Sequence, residues 1–513
     1  MNTAARPAAP DAGPDRGPGR LDQIVARGYP AAQKALVAVP LLAFAGPFAS
    51  IRPGSPGFPY FYRILFVLGL VVAVPLFLTQ LRRRLFPALF TVLVAVWIVW
   101  APVSLLWTSD RAAGQREVLA GTSALLGAWV TLILTRGSHR SLRYLRWGWV
   151  LTFVVTVLVV AWEIVSWRHL GELTGAVEYW AFDAYTVAGL DTNPNGLSNV
   201  VNAVVAVMGA QLIREVRARR VARAPIEAVQ YDGPPPDRVN GRFTRGSWWR
   251  IAALLAGIVV AGYLSLLTNS RSGILVVAIL CLLAAVFCLP PRRYVVVPVA
   301  LALIAGTVLA LEPLPADAVR AQPTAQPTDV AQRPSKYNHE GMTPEEAAAD
   351  LAAADSLRRD LSLSGLRQVE QRPLQGAGAG AATERLAADP DYQPGKSTRE
   401  RRILPLHNTF LELAVNYGVP FLLLVLAIPL AAAAAVLQPR ELRRYWPDPI
   451  VYECLGMLLS VLVMSLISSS SIGTPVFWLM LAYAAALAWN YTDTLAALRA
   501  TGAPVSPERV SRR

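Results

Sequence analysis

Long apolar runs constrain this chain more than any other feature. They lie at roughly 33–50, 61–80, 85–107, 118–135, 147–167, 195–213, 251–268, 272–290, 294–312, 410–437, 451–468 and 474–491. They approach or exceed the ~18–20 residues that a helix needs to cross a bilayer. Inside lipid, backbone N–H and C=O groups must bond within their own segment, so the runs read as helices. The expected fold is an all-α polytopic membrane protein with about twelve transmembrane helices. Nine of them fall within 33–312 and three within 409–491.

The arginines orient these helices. Arg82, Arg83 and Arg84 share one loop, and Arg136, Arg140, Arg143 and Arg146 the next but one. Arg214, Arg217, Arg219, Arg220 and Arg223 follow in the same alternation, then Arg292 and Arg293, then Arg440, Arg443 and Arg444. The positive-inside rule makes that side cytoplasmic. Residues 1–32 then form a disordered cytoplasmic tail, and 492–513 a short basic one. The insert at about 214–250, with Gly233-Pro234-Pro235-Pro236, is a basic flexible cytoplasmic loop near anionic headgroups. Residues 313–408 become a large outer loop. A net charge of +14 invites a nucleic-acid reading, but topology accounts for it and no nucleic-acid partner is expected. Lysine occurs only at 34, 336 and 396, which with abundant Ala, Val and Pro points to a GC-rich bacterial genome. The expected location is the bacterial cytoplasmic (inner) membrane, with many passes and the large loop outside. Cys281, Cys288 and Cys454 lie in apolar runs and fit neither a disulfide framework nor a metal spacing.

Within the outer loop, Thr343-Pro344-Glu345-Glu346 has a threonine for the N-cap, proline at N1 and glutamate at N3. A helix is expected over about 344–371, ending before Pro373. Leu351, Leu357, Leu361 and Leu366 give it an imperfect apolar stripe, suited to the membrane surface or to capping a cavity. Gly376-Ala377-Gly378-Ala379-Gly380 breaks it.

Four places on the outer side hold residues with chemical use. Thr268-Asn269-Ser270-Arg271-Ser272-Gly273 sets an arginine at the membrane edge, where a charge is costly without a partner or a function. Arg358 and Arg359 lie on the loop helix, followed by Arg372. His407-Asn408 sits where the polar loop enters a membrane helix. Asn193-Pro194-Asn195 opens another helix, with Asn199 and Asn202 continuing one face in the manner of interhelical hydrogen bonding. Each has a bland alternative: a snorkelling arginine, a solvated charge, a packing histidine, interhelical glue. No Walker motif, dinucleotide fingerprint or Ser/His/Asp set is legible. Asp389-Pro390-Asp391 has the DxD spacing of many glycosyltransferases but is a two-residue match. No metal site or cofactor is expected, so arginines would stabilise an anionic leaving group.

Taken in order, these motifs carry a resemblance. Asn193-Pro194-Asn195-Gly196-Leu197-Ser198, Asn269-Ser270-Arg271-Ser272-Gly273, Arg358 with Arg372-Pro373-Leu374-Gln375-Gly376, and His407-Asn408-Thr409-Phe410-Leu411-Glu412 with Gly418 resemble the O-antigen ligase and Wzy-type polymerase superfamily. The likeness spans roughly 85–490 and includes Leu106-Trp107-Thr108-Ser109-Asp110. It implies a GT-C-like fold of about twelve helices with a large outer loop. It implies inverting, metal-independent transfer of a glycan from undecaprenyl diphosphate to a hydroxyl on a glycan or lipid acceptor, among membrane lipids. His407 would then be the base, with Arg271 and Arg358 clamping the diphosphate, Arg359 beside them, and Asn408, Asn193, Asn195 and Arg402 in support. One departure concerns the clamp. The family often has an arginine three residues before the glycine that precedes NPN, and here Thr186 stands before Gly189. Arg168, Arg359, Arg401 and Arg402 are the candidates to replace it. A flippase for lipid-linked glycans would use the same arginines without needing His407, and a non-catalytic envelope-assembly partner would need neither.

Overall fold

A computed structural model describes residues 20–49, 60–166, 187, 189–190, 194–223, 246–268, 270–288, 359–382, 385, 406–438, 448–467 and 472–500. The regular elements among them are helices. In chain order they are α1 Arg20–Ala35, α2 Val39–Ala45, α3 Phe61–Leu76, α4 Leu85–Ser104, α5 Arg111–Thr135, α6 His139–Ser166 and α7 Pro194–Arg223. Then come α8 Gly246–Leu267, α9 Arg271–Cys288, α10 over 359–371, α11 Thr409–Tyr417, α12 Val419–Val436, α13 Pro449–Ile467 and α14 Pro475–Ala500. Eight helical segments among the described residues are long and apolar enough to cross a membrane, and Ser272–Cys288 is a shorter apolar helix. This is an all-helical polytopic membrane protein.

The core is built on α14. Every residue from Val476 to Tyr491 is buried, the mark of a helix apolar all round and enclosed by others. It packs on α5, α12 and α13, and α13 in turn packs on α7 and α9. The outer helices keep apolar faces exposed, such as Leu68 and Val71 on α3, Val99 on α4, Val259 on α8 and Leu430 on α12. In a bilayer such faces meet acyl chains rather than water.

Three expectations are corrected. The tail expected to be disordered over 1–32 is helical from Arg20. That helix, α1, runs on past the tail to Ala35, and its Gln33 donates to Ser141 Oγ of α6 at 2.7 Å, a polar anchor just beyond the segment that looked structureless. The run 33–50 is interrupted by a turn at 36–38 and by Gly46. The run 410–437 is two helices, not one. Gly418, at φ 88°, closes α11 by donating to Ala414 O, and Pro420 opens α12 without an N–H to give. The run expected at 294–312, the loop at 313–358, and Asp389 and Asp391 lie outside the described residues.

The bundle has two distinct polar ends. At one, Arg146 and Arg214 converge on Glu453, Asn490 donates to Gly137 O, and Arg84 pairs with Asp493 at 3.0 Å. At the other, α11, the 373–382 segment and the start of α5 meet. His407, Asn408 and the Gly376–Gly380 run lie there.

Candidate active site

His407 stands at a strained turn. Its φ is 52°, a left-handed value that residues with a Cβ rarely take. Arg136 shares this trait, but it is the C-cap of α5, where left-handed backbone is the ordinary way to end a helix. His407 precedes a helix instead, so helix termination does not explain it. Asn408 is the N-cap of α11, and its side-chain oxygen accepts from Leu411 N at 3.0 Å. The turn therefore delivers His407, half-buried, at the tip of a capped nine-residue helix.

α10 covers this helix. Its buried face is Leu361, Ser364, Gly365 and Gln368, the i, i+3, i+4, i+7 set. Leu361 packs with Leu406, Val415, Ala377, Ala381 and Ala382. The stripe expected from leucine spacing is thus corrected: Leu366 points away and is 51% exposed. Gly365 admits Leu411 and Leu406, because a Cβ there would lie 2.6 Å from Leu411 Cδ2.

The glycine-rich segment does more than end α10. Ala377 N donates to Val415 O at 2.6 Å and Gly378 N to Asn416 O at 3.0 Å. Thr108 Oγ1 donates to Ala379 O at 2.7 Å, and Ala379 N donates to Ser104 Oγ at 3.1 Å. The segment thus bonds backbone to backbone with α11 on one side and to the hydroxyls of Ser104 and Thr108, at and just past the end of α4, on the other. Gly376, at φ 70°, has no room for a side chain, since a Cβ would sit 2.5 Å from Asn416 O and 2.7 Å from Gly418 N. Gly376→Ala should lower stability by roughly 1–3 kcal/mol or more, because both the conformation and the contact are forbidden. Gly46→Ala, also at positive φ but with nothing within 4 Å of the new Cβ, should cost clearly less. Thermal melts in detergent compare the two, and equal losses would refute the docking argument.

The remaining site residues divide. Arg271 is the first residue of α9, after a turn in which Thr268 Oγ1 accepts from Ser270 N and Ser270 Oγ from Gly273 N, both at 3.4 Å. A Cβ on Gly273 would fall 1.7 Å from Ser198 Oγ, so α7 and α9 touch just below Arg271. Ser272 lies 3.8 Å from Met464 Sδ near the C-terminal end of α13, and Gly473, just before α14, lies against Ala120 of α5, the helix whose Glu117 holds Tyr417 of α11, so Arg271 and His407 stand at one end of the bundle. Asn195 lies in the first turn of α7 at that same end. Gly189, the glycine of the expected arginine motif, donates its N–H to Glu163 at 3.0 Å. Arg359 is exposed at the start of α10. Arg358, Arg402 and Asn193 lie outside the described residues. Asn202, expected as interhelical glue, is fully buried and its amide has no hydrogen-bond partner among the described residues.

Sequence reasoning missed Glu117. This carboxylate accepts from Asn416 Nδ2 at 3.0 and 3.2 Å and from the Tyr417 hydroxyl at 2.5 Å. Burial and the neighbouring Glu117 charge hold the Tyr417 hydroxyl well above the usual tyrosine range, so it stays a donor. Tyr417 also stacks with Trp97 and Phe421, and its carbonyl accepts from Trp100 Nε1 at 3.0 Å. The available signal was Asp110. As N-cap of α5 it accepts from Ala113 N at 2.9 Å, which places Glu117 two turns inside the helix rather than in the preceding loop.

These features define a polytopic helical membrane protein with a histidine and an arginine-headed helix at one end. Residues 256–426 match the family model described as O-Antigen ligase. That match, across a third of the chain, supports the O-antigen ligase superfamily, and the family in turn supports a membrane glycan ligase or polymerase role and implies lipid-linked glycan substrates. The matched segment includes Arg271, Arg358, Arg359, Arg402, His407 and Asn408, whereas Asn193, Asn195 and Glu117 precede it. No curated protein sequence matches the chain.

Proposed function

We propose that the protein moves a glycan from undecaprenyl diphosphate to a hydroxyl acceptor at the outer face of the bacterial cytoplasmic membrane. The acceptor is a growing glycan or a lipid. The observation that carries this reading is His407, held by a strained turn at the tip of a capped helix on the same end as Arg271. His407 takes the proton of the acceptor hydroxyl as its oxygen attacks the anomeric carbon. The bond from that carbon to the phosphate oxygen breaks, the configuration inverts once, and the diphosphate leaves. Arg271 and Arg358 balance the negative charge that gathers on the leaving group, with Arg359 beside them. The N-terminal end of α9 adds a favourable dipole for the same anion. No metal takes part. Asn408 supports by capping α11, and Asn193, Asn195 and Arg402 are the further residues assigned to support.

The test is transfer of a fluorescent lipid-linked glycan to acceptor in proteoliposomes, with release of undecaprenyl diphosphate followed in parallel. Both should appear in equal amounts, unchanged by EDTA. Arg271→Ala and Arg358→Ala should each remove most transfer, and lysine at either site should restore only part, because it lacks the planar fork that matches phosphate oxygens. Movement of the lipid across the bilayer without transfer would sink this reading and favour a flippase.

A further inference from the structure

We propose that Glu117 is the positioning residue for His407. The inference rests on His407 being the base and adds the device that aims it. Glu117 lies within a membrane-length helix, where a carboxylate is costly unless its lone pairs are filled. It is filled from two segments far along the chain. Asn416 and Tyr417 come from the C-terminal end of α11, and the Gly380 backbone N–H from the glycine-rich segment faces the same carboxylate.

Asn416 is fixed on every side. Its Oδ1 accepts from Ala382 N at 3.0 Å, its backbone oxygen accepts from Gly378 N, and its amide N–H groups are left to Glu117. One carboxylate therefore sets the relation of α5, α11 and the 376–382 segment. α11 is short and closed at both ends, by Asn408 at its start and by Gly418 N on Ala414 O at its finish. It transmits a displacement at its base to its tip as a rod. Asn416 is nine steps along the chain from His407, or about 14 Å at 1.5 Å per residue. A tilt of about 4° at the base then moves His407 by about 1 Å, and a misplacement of that size costs on the order of a hundredfold in rate.

The experiment compares Glu117→Gln with His407→Ala in the proteoliposome assay, per folded molecule counted by size-exclusion chromatography. Glutamine offers one acceptor oxygen and an NH2 group, so one of the donors now facing the carboxylate meets another donor. Turnover should fall roughly tenfold to hundredfold at unchanged KM for the lipid-linked donor, since the arginines at the heads of α9 and α10 are untouched. Adding Asn416→Asp to Glu117→Gln reverses donor and acceptor while still accepting from Ala382 N, and should restore most of the turnover. Tyr417→Phe removes one bond to Glu117 while keeping the ring against Trp97, and should lower turnover severalfold. It decides the matter should Glu117→Gln fail to fold.

Normal turnover in the Glu117 and Tyr417 variants beside an inactive His407→Ala protein would overturn this inference and leave the base in place. A loss confined to the amount of folded protein, or shared between turnover and donor KM, would overturn it as well. Full activity of His407→Ala would instead remove the proposed mechanism on which it rests.

Discussion

His407→Ala protein is expected to fold and to bind lipid-linked diphosphate, yet to transfer glycan roughly 10²–10⁴-fold more slowly, the loss typical of a removed general base. A diphosphate is a good leaving group, so the weak nucleophile is the acceptor hydroxyl, and the imidazole is what strengthens it. The backbone at this position makes the choice of variant matter. With φ at 52°, alanine is strained where histidine is better tolerated. His407→Asn is the companion variant, since asparagine adopts left-handed backbone readily and is no base. If asparagine restores stability and not transfer, the loss belongs to the imidazole and not to the turn. Transfer by the native protein should rise with pH, because only the neutral ring accepts a proton. Near-normal turnover by the asparagine variant would remove His407 from the chemistry.

The sequence made the helices legible because each one that crosses lipid must be apolar over its length, as in α3, α4, α8 and α12. It also placed His407 at a helix start, since Asn408 is an N-cap residue type followed by an apolar run. What stayed hidden depended on contacts between distant segments. The run 410–437 looked continuous because Gly418 and Pro420 are both tolerated inside apolar stretches, and only the approach of Leu374 O, 2.2 Å from a Cβ on Gly418, shows why the chain must turn. Glu117 looked like the loop before a span, since its donors stand about 300 positions away in sequence. The leucines of α10 misled because its core-facing positions are partly small or polar, Ser364, Gly365 and Gln368, chosen by the close packing of α11 rather than by hydrophobicity.

The largest stability effect is expected at the opposite end, from Glu453→Ala. Arg146 forks onto Glu453 with Nε at 2.8 Å from Oε1 and a terminal nitrogen at 2.7 Å from Oε2, Arg214 approaches to 3.5 Å, and the Tyr483 hydroxyl donates to the same carboxylate. The Glu453 side chain is fully buried and that of Arg146 is 8% exposed. Deleting the carboxylate leaves two neighbouring cations inside the bundle and strips Tyr483 of its acceptor. Removing one member of a buried pair typically costs ~3–5 kcal/mol. Arg146→Ala should cost less, because Glu453 keeps Arg214 and Tyr483 as partners. Combining the two substitutions should be milder than their sum, since the second removes the charge that the first left stranded. The order is read from thermal unfolding in detergent, and Arg146→Ala equalling or exceeding Glu453→Ala would refute it. Transfer per folded molecule should stay near normal in all three variants, because the cluster joins α6, α7, α13 and α14 at the end of the bundle remote from His407.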